Sequence, residues 1–105
     1  MKIYQPEIYY KHIIYKYSLP EGGQKIITAP FDELLDAQEQ NGQLVIWASI
    51  IPDCEEIPVC FTILGTGWPY DSKKVGKYFK TIQDQEGLVW HIFVKEYKPN
   101  DNFEY

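Results

Sequence analysis

Ten consecutive residues, Gly65-Thr66-Gly67-Trp68-Pro69-Tyr70-Asp71-Ser72-Lys73-Lys74, bring two glycines, hydroxyls, two large aromatics and two lysines together. Two glycines flank a hydroxyl, so backbone N–H groups and Thr66 can approach an anion closely, as in part of a phosphate-binding loop. The fuller patterns are missing, since neither Gly-Lys-Ser/Thr nor G-x-G-x-x-G occurs. The same glycines serve equally well to turn a strand sharply, with Pro69 fixing the exit. Trp68 and Tyr70 add flat rings on a loop with few local neighbours to bury them, and such rings stack on nucleobases. They also cap cores and form dimer contacts. Lys73, Lys74 and Lys77 supply positive charge. Thr66, Gly67, Trp68, Tyr70, Lys73 and Lys74 together make a candidate site for a small nucleotide.

Catalytic and metal-ligating candidates are sparse, and no catalytic residue, metal site or cofactor is expected. His91, in Trp90-His91-Ile92-Phe93, reads as a packed or edge-facing imidazole with one hydrogen bond, because no second ligand is spaced for a metal. His12 falls in the first predicted strand with Tyr10, where both are exposed and placed to complete the nucleotide site from a neighbouring subunit. A hydrolase would require His12 or His91 to meet a carboxylate in the cavity. Cys54 and Cys60 are not at a zinc spacing and read as free thiols, Cys60 in the core and Cys54 blunted by its acidic neighbours.

At 105 residues the chain fits one domain, residues 1–105, and its 45% apolar content is that of a globular protein. No window approaches the roughly 18 to 20 apolar residues that span a bilayer, and the N-terminus lacks a signal core, so a soluble intracellular protein is expected. The formal net charge is −5 and all ten basic residues are lysines. Without arginine, bidentate phosphate or guanine recognition loses its best side chain, and the acidity disfavours duplex nucleic acid and anionic membranes. From Glu21 to Glu56 there are eight acids and only Lys25, whereas Lys73, Lys74, Lys77 and Lys80 fall close together.

These residues must be carried by strands. Ile13, Tyr15, Tyr17 and Leu19 alternate with Lys16 and Ser18, giving a half-buried strand that begins near Tyr9 and ends at Pro20-Glu21-Gly22-Gly23. Gln24 to Thr28 forms a second. Asn41-Gly42 predicts a hairpin joining Leu35–Gln40 to Leu44–Ile51, the latter apolar on both faces and therefore central. An acidic loop, Pro52 to Pro58, precedes the two-faced apolar strand Val59 to Leu64. Asp71 or Ser72 caps a short helix in which Val75, Tyr78 and Phe79 share a face. Thr81–Gln83 then pairs with Leu88–Tyr97 through the Asp84–Gly87 turn, and the tail from Lys98 is loose, with Phe103 and Tyr105 packing on a neighbour. The expected fold is mainly β: a compact antiparallel sheet, sandwich or small barrel of about seven strands with one short helix.

Four blocks carry a resemblance: Ile14-Tyr15-Lys16-Tyr17 with Leu19, Gln43-Leu44-Val45-Ile46-Trp47-Ala48, Gly65-Thr66-Gly67 with Pro69, and Gly87-Leu88-Val89-Trp90-His91-Ile92-Phe93. In this order they resemble a family of short uncharacterised tailed-phage proteins over about four fifths of the chain. The chain departs from that pattern in an extension before Tyr9, extra residues around Pro30 to Leu35, and Tyr70 in place of a smaller apolar residue. It is also similar, more distantly, to viral sponge proteins that sequester the cyclic nucleotide messengers of bacterial anti-phage defence, as in the CBASS pathway. That resemblance implies a small, non-catalytic homo-oligomer in the cytoplasm of an infected bacterial host, with aromatics on the bases and lysines or backbone amides on the phosphates. The alternative is an acidic inhibitor of a host enzyme that imitates nucleic acid or docks through the Glu21 to Glu56 region. Aromatics lining a cavity with the lysines favour the first; buried aromatics and a flat acidic face favour the second.

Overall fold

A computed structural model describes residues 1–3 and 10–99. Among them seven strands form: β1 Ile13–Leu19, β2 Gly23–Ala29, β3 Phe31–Gln40, β4 Gln43–Ile50, β5 Ile57–Gly65, β6 Lys77–Gln83 and β7 Val89–Glu96, with one short helix, α1 Ser72–Val75, between β5 and β6. They divide into a three-stranded sheet ordered β1-β4-β3 and a four-stranded sheet ordered β2-β5-β7-β6. Every pairing is antiparallel. The mainly β fold with one short helix is as expected, and the sandwich is the form it takes. No helix among the described residues is long and apolar enough to cross a membrane.

The local signals account for most of this. Asn41 and Gly42 adopt φ 53° and 79°, both positive as a type I′ turn demands, and they set Gln40 opposite Gln43. β4 and β5 are apolar on both faces and occupy interior positions in their sheets. Between the sheets, Leu19, Phe31, Leu34, Leu44 and Ile46 meet Val59, Phe61, Ile63, Ile92 and Val94 in one core. Phe31 links the layers, its ring 5.8 Å from Tyr17 and 6.4 Å from Phe61. Side chains close the two lateral seams where a barrel would have ladders. Lys25 Nζ donates to the Ser18 carbonyl at 2.7 Å on one side, and Lys80 pairs with Asp36 on the other.

Several expectations need correction, among them the start of β3, which is Phe31 where Leu35 was expected. The strand predicted from near Tyr9 begins at Ile13, so His12 precedes it and does not lie within it, and Tyr9 itself is outside the described residues. Leu19 is buried as expected, but Ile13 and Tyr15 on the same face stay exposed because β1 is an edge strand. The predicted helix stops at Val75, and Tyr78 and Phe79 belong to β6. Gly76 explains the stop: it takes φ 83° and lies so close to β7 that an added Cβ would fall 2.7 Å from Lys95 Cβ and closer still to the Val94 carbonyl. Only a residue without a side chain fits there. Phe103 and Tyr105 are outside the described residues.

The connection from β5 to β6 places the opening sequence. Both strands run antiparallel to β7, which lies between them, so they are parallel to each other. The chain leaves β5 at Gly65, beside Trp90, and must reach Lys77, beside Val94, at the other end of β7. It therefore crosses the outer face of the four-stranded sheet. Val75 of α1 is fully buried in that crossing, and α1 packs on β7.

Candidate ligand-binding site

The crossover starts with a tight turn in which the Trp68 N–H donates to the Gly65 carbonyl at 3.1 Å and Gly67 takes φ 90°, as at the third position of a type II turn. The turn stands Trp68 upright. Its indole lies over Gly65 and Gly22, where an added Cβ at either glycine would come within 2.8 Å of the ring. It meets Trp90 edge to face, with centroids 5.8 Å apart at 84°. Two residues on, Tyr70 packs on Phe93 with centroids 5.0 Å apart. Asp71 then caps α1, its Oδ1 accepting from the Lys73 N–H at 2.9 Å.

Below the crossover, β7 alternates. Trp90, Ile92 and Val94 enter the core, so His91 and Phe93 face outward beneath the loop. A cavity of about 250 Å³ results, with Trp68, Tyr70, Phe93 and His91 as walls, Thr66 and Gly67 at the turn, and Leu64 beneath. His91 is held from both sides: Nε2 pairs with Thr66 Oγ1 at 2.8 Å and Nδ1 with Thr81 Oγ1 at 3.0 Å. The ring nitrogen that carries the proton donates to its threonine, and the other accepts. Tyr78 hydroxyl bonds Thr81 Oγ1 at 2.8 Å, so four polar side chains form one chain of hydrogen bonds ending at Thr66. The described wall carries no Lys, Asp or Glu. Such a cavity suits a neutral ring with a polar edge.

Of the candidate residues, Thr66, Gly67, Trp68 and Tyr70 line this one cavity. Trp68 and Tyr70 are 42% and 48% exposed, available to a ligand rather than spent on the core. Lys73 and Lys74 are exposed on α1, outside the cavity wall. Tyr10 and His12 lie elsewhere in the chain. Tyr10 lines a separate concavity of about 510 Å³ with Asp53, Glu55, Glu56 and Glu96. His12 Nδ1 sits 3.1 Å from Ser49 Oγ and 3.5 Å from Asp32 Oδ2, and Asp32 also receives Lys2 Nζ at 3.2 Å on each oxygen. Serine, histidine and carboxylate are all present, but both partners crowd one ring nitrogen, whereas a proton relay needs them on opposite nitrogens.

Sequence reasoning missed His91 and Phe93 as site residues. His91 makes two hydrogen bonds where one was expected, and it lines the cavity where a packed role was expected. The signal was the alternation of β7: with Trp90 and Ile92 inward, His91 and Phe93 had to share the opposite face. Among the described residues no group of three or more His, Cys, Asp or Glu is placed to hold a metal ion, and neither Cys54 nor Cys60 is in a disulfide.

Fold and site together define a class: a two-sheet antiparallel β sandwich whose crossover loop roofs an uncharged aromatic cavity. Within that class, the family described as "Domain of unknown function (DUF7352)" matches residues 10–102, and the chain belongs to it. No curated protein and no solved structure matches the chain.

Proposed function

We propose that this chain is a non-catalytic nucleotide-binding protein, and that its ligand is a cyclic di- or oligonucleotide messenger of bacterial anti-phage defence, captured and so withheld from a host effector. The observation that carries the proposal is the cavity itself. Trp68 and Tyr70 offer exposed rings to a base beside Phe93, and Thr66 Oγ1, which His91 holds in place, keeps further hydrogen-bonding capacity at its edge. Both nitrogens of His91 engage threonine hydroxyls, which favours a positioning role over hydrolysis. Lys73 and Lys74, three and four residues beyond Tyr70, supply charge for phosphates outside the base cavity. Assembly as a homo-oligomer in the cytoplasm of an infected host belongs to the same proposal, and Tyr10 and His12 join the site only if a neighbouring copy brings them.

The acidic-inhibitor alternative called for a flat acidic face. Asp53, Glu55 and Glu56 curve around a concavity, and Trp68 and Tyr70 are exposed, which supports the aromatic site; the expected convergence of the aromatics with the lysines is met only by the aromatics, because Lys73 and Lys74 stand off the cavity wall. Isothermal titration of the full chain against linear and cyclic nucleotides tests it. Binding is expected, weakened in Tyr70→Ala by about 1–3 kcal/mol for the lost stack. No binding across the panel would sink the proposal.

A further inference from the structure

Trp68 lines two cavities. Besides the one described, a second of about 540 Å³ shares Gly65, Thr66 and Trp68 with it and is completed by Gly87, Leu88, Val89 and Trp90. The two differ in chemistry. The first presents His91 and Tyr70, whereas the second is walled by indole and aliphatic side chains. Its far wall is set by the Asp84 turn and not by a loose loop. Asp84 Oδ1 accepts from the Glu86 and Leu88 N–H groups, each at 2.9 Å, and Oδ2 accepts from Trp90 Nε1 at 3.1 Å. Leu88 is nonetheless exposed, so a fixed turn presents an apolar side chain to solvent at the rim of a cavity.

We infer that the two cavities form one site for a two-base ligand, with a base in each and Trp68 shared between them. The inference rests on the nucleotide proposal above and adds the size class of the ligand and the stoichiometry. Size supports it. At about 250 Å³ the first cavity lies below the roughly 300–1,000 Å³ of sites that enclose a drug-sized ligand, so a two-base ligand needs room beyond it. The second cavity is largely apolar and shares Gly65, Thr66 and Trp68 with the first. Base identity is read on the Thr66–His91 side, and the Leu88 side accepts any flat ring.

The test is a titration of the full chain with AMP and with cyclic di-AMP, and with GMP and cyclic di-GMP. The dinucleotide should bind one per chain and about 5- to 150-fold tighter than its mononucleotide, the worth of one added stack. Leu88→Gln should remove most of that advantage, whereas Tyr70→Ala should weaken both ligands. Thermal melts of each variant confirm folding. Equal affinities, one dinucleotide per two chains, or an unchanged ratio in Leu88→Gln would overturn the inference while the nucleotide proposal stands. Failure of every nucleotide to bind would overturn both.

Discussion

Trp68 is held by the absence of side chains beneath it. Gly65 and Gly22 each lie where a Cβ would press on the indole at 2.8 Å, and Trp90 fixes its edge. Gly65 lacks the positive φ that would demand glycine, so its requirement is space alone. Gly65→Ala should therefore keep the strand and displace the ring. The expected outcome is a shift in tryptophan emission and loss of nucleotide binding with an unchanged far-ultraviolet spectrum; retained binding would show that the ring position is not critical. At this scale the sequence was half legible. Trp68 and Tyr70 stood out as large rings on a loop, a property visible without a fold. His91 and Phe93 did not, because an alternating strand has two faces and only the packed molecule says which one faces the core and which a crossover will roof.

The β6–β7 turn shows how an element maintains the site. Desolvation raises the Asp84 carboxyl, but the bond from Trp90 and those from the Leu88, Glu86 and Gly87 backbone outweigh it and hold the group below its ordinary value of 3.8. A carboxyl depressed in the folded state contributes stability that is present above the unfolded value and is lost as pH falls through the folded one. Asp84→Asn should thus destabilise the protein at neutral pH, and the gap to wild type should close as pH drops below about 4. Urea melts across that range check it, and a gap that persists at low pH would contradict it. The turn was legible from Asp84 to Gly87, as was the hairpin at Asn41-Gly42, because turn chemistry is local. The length of α1 was not. Gly76 ends the helix through its contact with Val94 and Lys95 of β7, which follow it in the chain by about twenty residues.

Over the whole molecule, the outer edge of β1 carries no strand partner among the described residues, only the Lys25 bond at Ser18. β1 borders its sheet, and Ile14 is 62% exposed, with Ile13 and Tyr15 exposed beside it. Unpaired backbone groups flanked by apolar side chains favour strand addition, and an antiparallel second copy satisfies both edges at once. If the proposed homo-oligomer forms there, Ile14→Asp should reduce the mass seen by light scattering to that of one chain; an unchanged mass would place the contact elsewhere. The opposite seam is already closed by Lys80, whose hydrogen bond is the main reason the Asp36 carboxyl lies below its ordinary value. The sequence alone determined the class of fold, the central place of β4, the two-faced apolarity of β5, and the rings standing on a loop, because alternation, two-faced apolarity and turn residues act over a few positions. Tertiary structure alone decided that β5 and β6 run parallel around β7. That single fact drives the chain from Gly65 to Lys77 across the sheet's outer face, sets Tyr70 on Phe93 and Thr66 on His91, and leaves Lys73 and Lys74 outside, since contacts between residues this far apart in sequence exist only once the strands have been ordered.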